Sequence, residues 1–315
     1  MKAAIINQFG SPKAFQIKDI EKPSYEKNQL LVKVKTVSIN PIDWKQRKGN
    51  HKLILGSPFP IVLGYDICGI VEEVGEEIEQ FKKGDSVFGV LDNKYGGALA
   101  EYAVGHEKCF AHKPGKINNE QAAAFPMVAL TSLQALRDKA NLQSGQTVLI
   151  NGASGGVGHI AVQIAKLLGA KVIAVASTQS KEFVSQFNPD MYIDYKKQDV
   201  LKINQKVDVF FDVVGNSSFL KTKHLLNSGG VYVNTLPRPK ILLHKLIQLF
   251  TKGKKVKTLL MKHNSEDIKL IAKWITEEKL DIKIDKTFSL EQISQAHEYA
   301  QQGHSKGKNI VVIGN

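Results

Sequence analysis

The feature that most constrains the fold is the segment Asn151-Gly152-Ala153-Ser154-Gly155-Gly156-Val157-Gly158, which joins a strand-like stretch, Thr147–Asn151, to a helical one, Gly156–Leu168. A strand, a glycine-rich turn and a helix in that order form one unit of a parallel sheet, because a parallel neighbour can be reached only by a crossover. Glycines at 152, 155 and 158 let the backbone turn sharply and keep side chains away from the helix N-terminus, where unpaired N–H groups attract an anion. Gly152, Ser154, Gly155, Gly156, Val157 and Gly158 are therefore candidates for holding the pyrophosphate of a dinucleotide.

The flanking pattern extends this unit into a sheet. Apolar runs recur at Lys171–Ala176, Met191–Ile193, Val207–Asp212, Val231–Asn234 and Val256–Met261, interleaved with helical segments, and helical spacing over Ala122–Asp138 precedes them. With Thr147–Asn151 they read as a doubly wound parallel sheet. Up to about Pro114 the chain is instead short strands bounded by turns, such as Leu30–Lys35, Ile61–Leu63, Gly69–Val74 and Asp85–Val90. The chain closes with a short amphipathic helix around Leu290–Gln301 and a strand at Asn309–Ile313. The expected fold class is α/β with a second, mostly β domain, and 315 residues suit two domains. One spans 1–120 and 280–315, and the parallel-sheet domain spans 121–279.

Two cysteines, Cys68 and Cys109, are too few for a four-thiolate zinc site and fit a reducing compartment. No apolar run approaches the ~20 residues of a membrane span, and Met1–Ile6 leads directly into a strand pattern. A soluble, cytoplasmic protein is expected. The formal charge of +13 is concentrated, since eight Lys and Arg and no acids lie between Pro237 and His263. Leu242, Leu243, Leu246, Ile247, Leu249 and Phe250 share one helical face there. A covering helix with solvated lysines is the favoured reading, and peripheral attachment to anionic membrane lipid also fits. Nucleic acid is disfavoured, because aromatics for base stacking are not interleaved with the lysines.

The strand after the loop bears on which nucleotide is bound. An acid usually closes this strand and takes the ribose hydroxyls of NAD. Here the strand ends Ala176-Ser177-Thr178-Gln179-Ser180-Lys181, and no acid comes before Glu182. Ser177, Thr178 and Lys181 suit a 2′-phosphate, so NADPH is the expected cofactor, with Tyr195 a further candidate at that end.

Gly145-Gln146-Thr147-Val148-Leu149, the glycine loop, Gln163 and Lys166 together resemble the signature of the zinc-independent quinone oxidoreductases, the zeta-crystallin-like branch of the medium-chain dehydrogenase/reductases. Asn40-Pro41-Ile42-Asp43 with Arg47 and Gly49, Leu63-Gly64-Tyr65-Asp66 with Gly69, Gly96–Tyr102 and Asp212-Val213-Val214-Gly215 extend the likeness along nearly the whole chain. The resemblance implies a GroES-like catalytic domain from both chain ends, a Rossmann domain and a homodimer. It also implies that Asn40 and Asp43 lie beside the nicotinamide and that Thr131, Val214 and Leu236 help to hold the cofactor. Tyr65 is expected either to hydrogen-bond a developing oxyanion or to wall the pocket.

Where zinc alcohol dehydrogenases carry Cys and His-Glu ligands, this chain has Asn40–Asp43 and Tyr65-Asp66, so no metal is expected. Without a Lewis acid the easier acceptors are conjugated, which points to a quinone or an α,β-unsaturated carbonyl. Structural readings stay open for three of these residues: Asn40-Pro41 as a turn, Tyr65 as core, Asp43 as a partner of Arg47. The alternative function is an NADPH-binding redox sensor or nucleic-acid binder with little turnover.

Overall fold

The computed structural model describes residues 1–235, 251 and 253–314. Leu236 and the apolar face expected over Leu242–Phe250 lie outside the described residues. Two compact units are present. The first comprises Met1–Met127, His263–Glu278 and Ile282–Asn315, the second Val128–Lys262 with Lys279–Asp281.

The first unit is sheet-rich. Its strands are β1 (Lys2–Ile6), β2 (Phe15–Asp19), β3 (Gln29–Ile39), β4 (Ile61–Val62), β5 (Asp66–Val74), β6 (Ser86–Val90), β7 (Tyr102–His106) and β8 (Phe110–His112), with β15 (Ile284–Ser289) and β16 (Lys308–Val312) from the other chain end. One sheet runs β2-β1-β4 and the larger one β15-β16-β3-β5-β6-β8, with β7 also paired to β3. The core gathers side chains from both ends of the chain, among them Val32, Ile67, Phe110, Ile293 and Val311. The antiparallel pairing of β16 with β3 welds the C-terminal segment into this sheet.

In the second unit β9 (Thr147–Asn151), β10 (Lys171–Ala176), β11 (Met191–Asp194), β12 (Val207–Asp212), β13 (Leu226–Asn234) and β14 (Lys255–Thr258) form one sheet, in the order β11-β10-β9-β12-β13-β14. All of its pairings are parallel. This is the Rossmann order, in which crossovers reverse direction at the first strand and open a crevice beyond the carboxyl ends of the strands. The expected α/β architecture is present, a Rossmann sheet and a separate GroES-like unit.

Two details differ from the sequence reading. The helical pattern over Ala122–Asp138 is broken into Asn119–Ala124, Pro126–Leu133 and a π-helical turn, Gln134–Lys139. Pro126 has no N–H to continue the first helix and restricts Phe125 before it. Secondly, residues 121–127 and 263–278 fall in the first compact unit, not with the parallel sheet. Helix Ser265–Thr276 buries Ile268, Ile271 and Ile275 and packs against β8, and the preceding His263 brings Nδ1 to 3.7 Å from the Cys109 Sγ. That burial decides which unit the helix joins.

Candidate functional site

The glycine loop leaves β9 and enters helix Gly156–Leu167, with Gly155 as its N-cap. Each glycine has its own reason to lack a side chain. Gly152 has φ +96°, the left-handed region, and a Cβ there would stand 2.5 Å from the Val214 Cγ2. At Gly158 a Cβ would come within 2.0 Å of the Gly152 carbonyl oxygen, so the close approach of helix to loop needs glycine. By contrast, a Cβ on Gly155 would meet nothing nearer than 3.7 Å. The bare backbone at Gly155 serves no internal packing, and it leaves open the space in front of the helix N-terminus where a phosphate is bound. The loop therefore fits a dinucleotide pyrophosphate.

Neighbouring groups hold this loop rigid. Asp212, fully buried at the end of β12, accepts hydrogen bonds from the Asn151 amide (2.9 Å), the N–H groups of Gly215 and Ser217 (3.0 Å each) and the Tyr232 hydroxyl (2.7 Å). Four donors on one carboxylate shape the Val213–Ser217 turn, and Val214 comes to lie beside Gly152. Ser132, next to Thr131, donates to the carbonyls of Val128 and Val157 and ties its helix to the loop helix. Thr131 itself is 8% exposed. Asp212 was visible only as part of a family motif, and its role follows from the β12–β9 pairing that places it beside Asn151.

At the ends of β10 and β11 the structure adds a residue that sequence reasoning missed. Ala176 pairs with Asp194, so an acid from the third strand stands beside the end of the second. The Thr178 hydroxyl donates to Asp194 Oδ2 at 2.5 Å, and the Lys196 N–H donates to Oδ1 at 2.9 Å. These hydrogen bonds, the one from Thr178 foremost, hold the Asp194 carboxyl below the usual carboxylate range. Ser177 Oγ lies 3.1 Å from Ser180 Oγ, and its carbonyl accepts from the Tyr192 hydroxyl at 2.5 Å. Lys181 and Tyr195 are exposed. The acid missing from β10 is thus supplied by its neighbour, and only the register of the two strands could reveal it.

In the first unit, Asn40 and Asp43 belong to a buried polar cluster, and Tyr65 is buried with a separate partner, Gln46. Ser38, next to last in β3, lies opposite Asp66, the first residue of β5, and Asn309 pairs with Ile39, so the ends of three adjacent strands meet. Asp66 Oδ2 accepts from the Ser38 hydroxyl (2.8 Å), the Asn40 amide (2.8 Å) and the Lys308 ammonium (3.3 Å), while its Oδ1 accepts from the Met127 N–H (2.8 Å). Lys308 also donates to Asn40 Oδ1 at 2.6 Å. Lys308 is 3% exposed and burial lowers its pKa, whereas the Asp66 charge opposes that shift. Asp43 caps the helix Pro41–Arg47 by accepting the Asn40 N–H at 2.7 Å, and burial pushes its carboxyl up to about 7.

These contacts revise three expectations. The Asn40 amide is committed to Asp66, Ser38 and Lys308, so its task is internal. Arg47 donates to the Gly10 carbonyl and to Gln301, not to Asp43. The Tyr65 hydroxyl donates to the Lys94 carbonyl at 2.7 Å and accepts from Gln46 at 2.6 Å, which leaves it no proton for an oxyanion. Burial also raises its pKa. Lys308 and Gln46 were missed because they resemble ordinary surface residues until the strands pair.

Among the described residues, no group of three His, Cys, Asp or Glu is placed to hold a metal ion. Cys68 and Cys109 are both buried, and burial pushes the Cys68 thiol up to about 12. The charge of Asp66 is met by an ammonium. This donor set does not fit a resident zinc.

Comparison with known proteins agrees with the architecture. A family model described as alcohol dehydrogenase GroES-like domain matches residues 26–115, and one described as zinc-binding dehydrogenase matches residues 189–311. The chain is 32% identical to the chloroplast envelope quinone oxidoreductase homolog of Arabidopsis thaliana, over 99% of this chain and 98% of that protein. It is 30% identical to the NADPH-dependent alkenal/one oxidoreductase of the same plant, over 99% of this chain and 79% of that one. The structure of the quinone oxidoreductase from Coxiella burnetii superposes with a TM-score of 0.91 at 34% identity, covering 100% of this chain and 99% of that one. A Rossmann sheet with a bare-backbone phosphate loop, a GroES-like unit assembled from both chain ends, and full-length identity of this order place the chain in the quinone oxidoreductase branch of the medium-chain dehydrogenase/reductase superfamily.

Proposed function

We propose that this protein transfers hydride from NADPH to a quinone or an α,β-unsaturated carbonyl without a metal ion. The observation that carries the reading is the loop from β9 into helix Gly156–Leu167, at the switch point of the Rossmann sheet, with Gly155 open and Gly152 and Gly158 required by the backbone. A bound reduced nicotinamide supplies the hydride. Gly152, Ser154, Gly155, Gly156, Val157 and Gly158 would hold its pyrophosphate, and Ser177, Lys181 and Tyr195 the 2′-phosphate. Thr131 and Val214 would flank the nicotinamide end. Asn40 is not assigned as a direct ligand, since its amide serves the buried cluster of the first unit, while Asp43 caps its helix through Oδ2 and keeps a buried Oδ1 without a hydrogen-bond partner among the described residues.

The conjugated acceptor follows from the donor set. With no three-ligand metal site among the described residues, an isolated carbonyl is poorly polarised, whereas in a quinone or enone the charge of the incoming hydride spreads onto a distant oxygen. Relatives named for quinones and for alkenals support that class. The test is a steady-state panel of quinones, alkenals and cyclic enones with NADPH and NADH, alongside metal analysis. Turnover of a conjugated acceptor by zinc-free protein is expected, with Lys181→Ala raising KM for NADPH more than for NADH. Activity lost on chelation and restored by zinc would overturn the metal-free part. A Lys181→Ala variant with an unchanged NADPH-to-NADH ratio would show that the 2′-phosphate lies elsewhere.

A further inference from the structure

The register of β10 and β11 places a fixed negative charge where the sequence of β10 alone shows none. Asp194 closes β11 opposite Ala176, and the Tyr195 N–H donates to the Ala176 carbonyl at 3.1 Å, so the ends of the two strands cannot slide apart. Both carboxylate oxygens are occupied, one by the Thr178 hydroxyl and the other by the Lys196 N–H. The Asp194 carbonyl also anchors the turn that follows, accepting from the N–H groups of Lys197 and Gln198. The carboxylate is thus held by its own strand end, by the following turn and by Thr178.

Thr178 has its proton aimed at Asp194, so toward any other ligand it offers lone pairs. That removes one of the donors expected for a 2′-phosphate. What remains near the strand ends is Ser177, whose hydroxyl is shared with Ser180, the exposed Tyr195, and the side chain of Lys181, which makes no hydrogen bond or ion pair with a described residue. In a doubly wound sheet the adenosine ribose lies over the ends of the first two strands. A carboxylate there accepts from a 2′-hydroxyl and repels a 2′-phosphate, which carries between one and two negative charges near neutral pH.

We infer that Asp194 is a specificity-determining residue of the cofactor site, reading the ribose 2′ position and moderating the preference for NADPH over NADH that Lys181 creates. The inference rests on the reading that the second unit binds a nicotinamide dinucleotide. A like charge at ~6 Å in a water-like dielectric shifts phosphate binding by roughly tenfold before salt screening and less after it. Removing the charge should therefore move the ratio of affinities by about threefold at physiological salt and more at low salt.

The experiment measures dissociation constants of NADPH and NADH by fluorescence titration, and of 2′,5′-ADP and ADP by calorimetry, for the wild type, Asp194→Asn and Asp194→Ser. The side chain is partly exposed and packs in no core, and two replacements guard against a local effect of either one. In both variants NADPH and 2′,5′-ADP are expected to bind more tightly relative to NADH and ADP, by about threefold and by more at low salt. Ratios unchanged within about twofold in both variants, with the wild type binding both dinucleotides, overturn the role of Asp194 and leave the cofactor reading standing. A wild type that binds neither NADPH nor NADH overturns that reading, and with it the inference.

Discussion

Replacing Lys308 with methionine tests whether the buried cluster of the first unit is held together electrostatically. The substitution keeps the apolar stem and deletes one ammonium that is 3% exposed and lies 2.6 Å from Asn40 Oδ1 and 3.3 Å from Asp66 Oδ2. Breaking one side of a buried ion pair costs about 3–5 kcal/mol, because the remaining charge stays buried. Asp66 retains the Ser38, Asn40 and Met127 donors, so the lower figure applies. For a body of this size about 3 kcal/mol corresponds to a fall in Tm of roughly 6–12 °C. The assay is tryptophan fluorescence on heating. The chain has two tryptophans, Trp44 and Trp274, and both lie in the first unit, so the signal reports the unit that contains Lys308. Adding Asp66→Asn to Lys308→Met removes the stranded charge and should recover most of the loss, giving a coupling of about 2 kcal/mol or more. A single variant melting within about 2 °C of wild type, or a double variant showing the plain sum of the two single effects, would refute the argument.

Two buried groups of the first unit give opposite pH slopes. Burial, aided by Arg47, lowers His297 to about 3, so stability is lost as pH falls below 6.5, by about 1.4 kcal/mol per pH unit. Burial raises Asp43 to about 7, so its contribution is present at low pH and is lost as pH rises from 3.8. Between about pH 4 and 6.5 the two cancel. His297→Leu should therefore lose stability as pH rises through that window and Asp43→Asn as pH falls, and parallel melting profiles for the two variants would contradict both assignments. Gly158→Ala should abolish tight nucleotide binding, raising Kd by more than about tenfold, because its Cβ meets the Gly152 carbonyl at 2.0 Å; wild-type affinity in a titration would show that the loop yields. Tyr65→Phe should lower stability by about 1 kcal/mol, since the Lys94 carbonyl and the Gln46 amide each lose one partner and keep each other at 3.2 Å, while kcat for a conjugated acceptor changes less than about threefold. A loss of kcat by two orders of magnitude would restore Tyr65 as an oxyanion donor.

Much of the Rossmann unit is legible in the chain because its signals are local. Thr147–Asn151, the glycines and the helix after them are contiguous, and each glycine answers to atoms a few residues away or to one neighbouring turn. The polar cluster is legible only in part. Asn40, Asp43 and Asp66 stand in recognisable segments, yet which atoms they bond depends on Lys308, 268 residues from Asn40 along the chain. Helix Ser265–Thr276 shows the same limit, since its apolar face would fit either unit until β8 and Cys109 cover it.

By itself, the amino-acid sequence determined the class of fold, the anion-binding loop and the family, because periodicity and turn chemistry act over spans of a few residues to a few tens. Tertiary structure alone decided the charge environment of both candidate sites. Parallel register brought Asp194 beside Thr178 where β10 carries no acid, and antiparallel pairing of β16 with β3 carried Lys308 into the interior to face Asp66. The physical reason is that electrostatic energy depends on distance and burial, and sheet pairing sets both for residues far apart along the chain.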